Sequence, residues 1–178
     1  MKGIRKPSDL KRWREQILSE QRKDKVVVYV CGGTGCQAYG CQKVKEAFEK
    51  GLRGKNRKMK ENVALKSTGC PGFCERGPLV TIHPQDIFYQ RVKEEDVPRI
   101  ISETILKGKV IDNLLFEDPS VRQKILSSRD IPFYRAQMRL LLGNNEHIDP
   151  TRIEDYVAIG GYEALAKGNL HVRRRCFE

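Results

Sequence analysis

Two close cysteine pairs, each following a short apolar run and each set among glycines, constrain this chain more than any other feature. Cys31-Gly-Gly-Thr-Gly-Cys36 has four intervening residues, Cys70-Pro-Gly-Phe-Cys74 has three, and thirty-three residues separate the pairs. Two further cysteines stand at 41 and 176. The N-terminus, Met1-Lys2-Gly3-Ile4-Arg5, carries charge with no apolar stretch behind it, so it does not read as a secretory signal. The expected compartment is the reducing cytoplasm. Stable disulfides are rare there, and clustered cysteines bind metal or do redox work.

The flanking residues say how the pairs meet. Lys25-Val-Val-Val-Tyr-Val30 reads as a buried strand of β-branched residues running directly into Cys31. Asn62–Ser67, with Val63 and Leu65 alternating, reads as a second strand ending before Gly69-Cys70. Neighbouring strand ends would bring four thiolates together. Gly32, Gly33, Gly35, Gly69 and Gly72 allow tight turns that aim backbone N–H groups inward, which suits an anionic sulfur centre. Spacing alone leaves three readings open. Structural zinc accepts cysteines two to four apart. A four-residue opening is nearer the looped geometry of a two-iron cluster. A thiol redox pair, or plain free thiols, is the third. Cys41 reads as a small packing residue in the first turn of the next helix, Cys176 as a free thiol in a basic tail, and His83 as a turn residue.

Composition narrows the class. With 39% hydrophobic and 32% charged residues in 178, the chain is not collagen-like, mucin-like or wholly disordered. No uncharged apolar run approaches the roughly 18 residues of a membrane span. The net charge of +11, from 34 basic and 23 acidic residues, raises nucleic acid as a partner. The excess is concentrated in Arg53, Lys55, Arg57, Lys58 and Lys60 and in Arg173, Arg174 and Arg175, with no helix-turn-helix and no aromatic-rich RNA-binding strands. A solvated face or an acidic protein partner explains it as well. The alternative function is therefore a zinc-stabilised basic module that binds RNA or an acidic protein.

The periodicities predict an α/β fold. Ser8 can cap a helix to Gln21 with Leu10, Trp13, Ile17 and Leu18 on one stripe, and Val44, Ala47, Phe48 and Leu52 mark a helix over 42–52. Pro78–Ile82 and Ile87–Tyr89 flank a turn. A helix opening at Glu94-Glu95-Asp96 carries Val97, Ile100, Ile101 and Ile105 and ends at Gly108. Helix, strand, helix, strand, hairpin and helix give a thioredoxin-like four-stranded mixed sheet with flanking helices, plus helical N- and C-terminal extensions. The domain reading is an N-terminal helix over 1–24, a core over 25–108, a connector over 109–150 with weak helical patches, and a helical segment over 151–178. In that last segment Asp149 caps, and Ile153, Tyr156, Val157 and Leu165 pack.

Cys31-x4-Cys36 after a first strand, followed by Ser67-Thr-Gly-Cys-Pro-Gly-Phe-Cys-Glu-Arg-Gly-Pro-Leu-Val80, resembles the thioredoxin-like [2Fe–2S] ferredoxins. These occur as the small NADH-side subunit of respiratory complex I and as the N-terminal domain of flavin-bearing subunits of NAD(P)-dependent [FeFe]-hydrogenases. The resemblance covers about residues 25–108. It implies a [2Fe–2S] cluster on Cys31, Cys36, Cys70 and Cys74, serving as both cofactor and metal site. It also implies one-electron transfer within an NADH dehydrogenase or hydrogenase-type oxidoreductase, with no bond-making catalysis on this chain. Phe133–Leu140 and Ile148–Lys167 resemble the opening of the flavin- and NADH-binding subunit. The residues after Lys167 do not resemble that family's continuation. FMN and NADH are therefore expected on a partner or on a missing C-terminal region, and the chain reads as truncated, whether naturally or as a fragment. The expected partners are a flavin/NADH-binding or hydrogenase subunit, or a second copy. Lys66 and Arg76 stand near the thiols in sequence, where positive charge would favour a reduced cluster.

Overall fold

The structure is a computed structural model that describes residue 4 and residues 6–21, 26–53 and 62–168. The basic run beyond Arg53, Lys25, the three tail arginines and Cys176 lie outside the described residues. The chain divides into two compact units, Met1–Lys23 with Pro150–Glu178, and Asp24–Asp149.

The smaller unit is built on α1 (Pro7–Gln21) and α6 (Ile153–Ala158). Pro7 opens α1, where its missing N–H costs nothing, and the Asp9 carboxylate accepts the Lys6 N–H at 3.0 Å. Leu10 and Ile17 bury against Val157, with Trp13 packed at the edge, as the stripe predicts. Arg14 donates to the Ala158 carbonyl and pairs with Glu163. Three expectations for this unit need correction. Ser8 lies inside α1, which begins at Pro7, so it is not the cap. The residue before α6 is Arg152, so Asp149 is not its cap. Of the four residues expected to pack, Val157 is buried, while Ile153, Tyr156 and Leu165 are exposed. The helix breaks at Gly160, which adopts φ 95°, so one continuous apolar stripe does not form.

The larger unit holds a four-stranded mixed sheet in the order β2-β1-β3-β4, comprising β1 (Val26–Cys31), β2 (Val63–Thr68), β3 (Val80–His83) and β4 (Ile87–Tyr89). β1 runs parallel to β2 and antiparallel to β3, and β3 runs antiparallel to β4. The register determines where the cysteines emerge. Cys31 is level with Thr68, and Val30 is level with Val80. The exits of two parallel strands and the entrance of the third therefore share one end of the sheet.

α3 (Cys41–Arg53) buries Cys41, Val44, Phe48 and Leu52, three or four residues apart on one face, against the sheet. Phe48 is wholly inaccessible, which stabilises the fold by about 1.5–3 kcal/mol. The helix after Glu94–Asp96 starts as α4 (Val97–Arg99) and widens into a π-helical stretch (Ile100–Ile105) before Gly108 ends it at φ 67°.

Of the segment 109–150 expected as a connector, residues 109–149 belong to the same compact unit as the sheet and share its core. β4 would otherwise present an open edge. Phe88 N–H donates to the Leu126 carbonyl (2.8 Å), Gln90 N–H to the Leu114 carbonyl (2.9 Å), and Tyr89 forms a bridge with Leu115. The buried Tyr89 hydroxyl accepts the Ile111 N–H at 3.0 Å and lies 2.8 Å from Thr104 Oγ1. A two-stranded ribbon, β5 (Phe116–Glu117) with β6 (Lys124–Ile125), and a short helix, α5 (Pro132–Arg135), complete this cover. No helix among the described residues is long and apolar enough to cross a membrane.

Candidate metal centre

The first cysteine loop is not a free loop. Cys31 is the last residue of β1. Gly33 precedes a short helix, α2 (Thr34–Ala38), and Cys36 sits on that helix, fully buried. The second loop leaves β2 at Thr68, passes Cys70, and closes through a 3-10 turn, Cys74–Arg76. Gly32 N–H donates to the Thr68 carbonyl at 2.8 Å and Cys31 N–H to the Leu79 carbonyl at 3.0 Å, which fastens the loops to each other.

The glycines matter mainly for close approach. A Cβ on Gly33 would stand 2.7 Å from Cys70 Cβ, and one on Gly35 2.8 Å from Cys74 Cβ. One on Gly77 would stand 2.7 Å from Cys36 Sγ. Real Cβ atoms do not come that near, so each loop is seated in the other by the absence of side chains. Gly33 itself has φ −63°, an ordinary value. Gly72, at φ 94°, needs the left-handed backbone, and its N–H donates to Cys70 Sγ at 3.3 Å.

All four sequence-predicted thiols lie at this end of the sheet, arranged as two pairs. Cys31 and Cys36 lie close enough to act on each other's ionisation. Cys70 Sγ and Cys74 Sγ lie 3.3 Å apart. The pairs interact, since Cys70 acts electrostatically on Cys31 and Cys36 on Cys74. Within the first pair the interaction with Cys31 brings Cys36 down to about 7, aided by the Leu79 N–H and opposed by burial. The same interaction, then burial, pushes Cys31 up. Cys74 is raised by its bond to Cys70 and then by burial. Within this pair Cys36 therefore ionises before Cys31, and deprotonated sulfur is the form that binds metal.

Exposure is graded across the site. Cys31 and Cys36 are buried, Cys70 is half-buried and Cys74 is exposed. Among the described residues no group of three or more His, Cys, Asp or Glu is gathered tightly enough to hold a single metal ion. Two separate pairs suit a centre with two metals, each taking two thiolates.

The neighbouring residues sort as follows. Cys41 is buried on α3, raised by burial and then by Cys36, and packs in the core. His83 ends β3, with its ring 5.2 Å from Tyr29 and 5.9 Å from His147, and burial lowers its pKa. Arg76 stands over the Phe116 ring at 5.4 Å with Nε 3.3 Å from Glu75, and Lys66 is buried in β2. Sequence reasoning missed Gly77, the Leu79 N–H and Asn145, whose Nδ2 donates to the Cys70 carbonyl at 3.3 Å. It missed the Phe73 cluster too. Phe73, inside the second cysteine loop, stacks on Phe133 (5.0 Å) and meets Tyr134 (5.5 Å) and Phe116 (5.7 Å). The Gly77-Pro78 step was visible in sequence; the other contacts span too many residues for a local pattern to reveal.

Comparison with known proteins gives consistent findings. The family model described as Thioredoxin-like [2Fe-2S] ferredoxin matches residues 16–105. The chain is 30% identical over 97 residues to a 2Fe-2S ferredoxin of Clostridium pasteurianum, covering 49% of this chain and 91% of that one. It is 29% identical over 80 residues to a 2Fe-2S ferredoxin of Aquifex aeolicus, covering 45% and 71%. Among solved structures, the wild-type thioredoxin-like [2Fe-2S] ferredoxin from Aquifex aeolicus is 25% identical with a TM-score of 0.48, covering 53% of this chain and 99% of that one.

Proposed function

The chain belongs to the thioredoxin-like [2Fe–2S] ferredoxins, and from that premise we propose that it is a one-electron carrier whose cluster is held by Cys31, Cys36, Cys70 and Cys74. The observation that carries the assignment is the gathering of these four thiols as two pairs at one end of the sheet. When bound, such a cluster supplies reversible one-electron chemistry without bond making. The protein's own contribution is fourfold. It provides four sulfur ligands, of which Cys36 is lowered from the ordinary thiol value by its neighbour Cys31. It aims the N–H groups of Gly33, Gly72 and Leu79 at sulfur. It excludes water on the Cys31 and Cys36 side. It leaves Cys74 at the surface, where a partner's redox group can approach.

The runner-up, a zinc-stabilised basic module, fits the paired geometry less well, because zinc draws four sulfurs around one point. Analysis of the anaerobically purified chain separates the two. Two irons and two acid-labile sulfides per chain are expected; stoichiometric zinc without sulfide would discard the electron-carrier reading.

The finer reading places the chain beside the flavin/NADH-binding or hydrogenase subunit of an NAD(P)H-linked oxidoreductase. The resemblance of residues 148–167 supports this, as does a run of exposed apolar side chains at Met138, Leu140, Leu141 and Leu142 in the larger unit. FMN and NADH belong to that partner or to further chain, and no residue here is assigned to them. Replacing Leu140 and Leu141 together by Asp is expected to slow reduction by a purified NADH-oxidising flavoprotein about tenfold or more, as for loss of a buried apolar anchor, with iron content unchanged. An unaltered rate would count against this docking.

A further inference from the structure

Residues 131–147 lie beyond the part of the chain that the family model matches, yet they grip the second cysteine loop at two places. At one, Phe133 stacks on Phe73 with the rings 5.0 Å apart and 16° from parallel, and Tyr134 meets the same ring edge-on at 5.5 Å. At the other, Asn145 Nδ2 donates to the Cys70 carbonyl at 3.3 Å, and a Cβ on Gly69 would stand 3.2 Å from Asn145 Cγ. The ends of the segment are fixed too. Ile131 is wholly inaccessible, and the His147 ring lies 5.9 Å from that of His83 on β3.

Between the grips one side chain closes the segment on itself. The Arg139 guanidinium stands 4.8 Å from the centre of the Tyr134 ring, with Nη2 3.4 Å from the Leu142 carbonyl and Nη1 3.7 Å from Glu146 Oε1. The side chains of Arg139 and Glu146 are only 15% exposed, while Met138, Leu140 and Leu141 beside them are 86%, 84% and 92% exposed. A solvated turn selects the reverse pattern, since drawing a charge inward costs free energy unless it is paired.

We propose that residues 131–147 form a strap, locked by Arg139, that holds the second cysteine loop closed on the outer side of the site. Arg139 and Asn145 are then positioning residues. Arg139 keeps the two grips at a fixed separation, and the grips keep Cys70 and Cys74 in place. The effect on iron rests on the cluster assignment made above; the strap itself does not. The inverted pattern also has a use. It turns the apolar run proposed above for partner docking outward, and anchors it to the loop that carries the surface thiol Cys74.

Hydrogen–deuterium exchange on the full chain tests the strap whether or not metal is bound. Arg139→Met removes the charge and the flat face at nearly constant length, and Asn145→Ala removes the second grip. Each is expected to raise exchange over residues 69–77 about tenfold, as for the loss of one or two hydrogen bonds, and to leave residues 44–52 of α3 unchanged. The double variant is expected to exchange no more than about twofold faster than the faster single one, because both changes open the same strap; independent local contacts would multiply instead. Iron release to a chelator should rise in the same order. Unchanged exchange over 69–77, an equal rise over 44–52, or multiplying effects would overturn the proposal. If Arg139→Met folds poorly, Arg139→Lys, which keeps the charge and loses the flat face, decides by the same two segments. A wild-type chain without iron and sulfide would instead remove the cluster assignment and leave the exchange comparison to judge the strap.

Discussion

The Cys36→Ala chain is expected to purify colourless, with iron and sulfide below about a tenth of the wild-type content, because a four-thiolate centre does not tolerate an empty position. Alanine is the informative choice, since a serine oxygen can itself act as a ligand. Cys36 is the sharpest member of the set for two reasons. It is the thiol of its pair whose pKa is lowered, by its neighbour Cys31. It is also fully buried on α2 with Gly77 packed against its sulfur, so no water or buffer ligand replaces it readily. Cys31, Cys70 and Cys74 are expected to behave alike. Cys41→Ala should differ: Cys41 sits on the buried face of α3, and its loss should cost packing energy with iron and sulfide retained. Metal and sulfide quantitation on these chains checks the prediction. Loss of iron from Cys41→Ala, or its retention in Cys36→Ala, would redraw the ligand set.

The second large effect is expected from a methyl group. Gly33→Ala places a Cβ 2.7 Å from Cys70 Cβ and 3.3 Å from its Cα. The clash meets side chain and main chain of the opposite loop, so rotating a side chain cannot relieve it. Overpacking of this kind costs about 1–3 kcal/mol, and pushing the loops apart spends that cost on the distance between the two thiol pairs. The apparent affinity for iron and sulfide should fall about ten- to hundredfold, at about 1.4 kcal/mol per tenfold. Chelator-driven iron release, timed against the wild type, measures it. Gly40→Ala is the useful contrast. Its φ of 83° makes it strained too, but nothing lies within 4 Å of the added Cβ, so its cost should fall on folding stability and leave iron release unchanged. Equal iron release from Gly33→Ala and wild type would mean the loops do not need their close approach.

How far the sequence reached follows from which forces act locally. The valines of β1 and the 3–4 spacing of Val44, Phe48 and Leu52 report burial directly, because a strand or helix repeats its buried face along its own residues. The four thiols were legible because strand ends and glycines surround them. The reason for the glycines was only half legible. Turning N–H groups toward sulfur was expected, and Gly72 does so, but the tighter demand is that Gly33, Gly35 and Gly77 leave room for a cysteine on the facing loop. That demand arises between segments and has no local pattern. α2 was hidden inside what looked like a glycine loop, since five residues are too few to show a period. Residues 109–149 were underread for another reason. They cover β4 largely through main-chain hydrogen bonds to Leu114 and Leu126, which any side chain permits. The apolar group Ile111, Leu114, Leu115 and Phe116 was the available hint. Tyr134 and Asn145 act across 60 residues or more, at Phe73 and Cys70, a separation that only the folded chain reveals.

The site's asymmetry bears on function. One thiol pair is sealed under α2 and the sheet, and the other borders solvent at Cys74. A carrier needs both: a dry side to define the potential, and a thin side through which an electron passes to a partner. The aromatic cover from Phe73, Phe133 and Tyr134 lies beside the thin side, where small changes in donors and water access have the most leverage.

The most direct measurement is electron paramagnetic resonance of the dithionite-reduced full chain, with spins counted against protein and iron. The account predicts one spin-half signal per chain for two irons, absent in the oxidised protein and absent in Cys36→Ala. A chain that stays silent on reduction, or whose signal integrates to a single-iron centre, would contradict it.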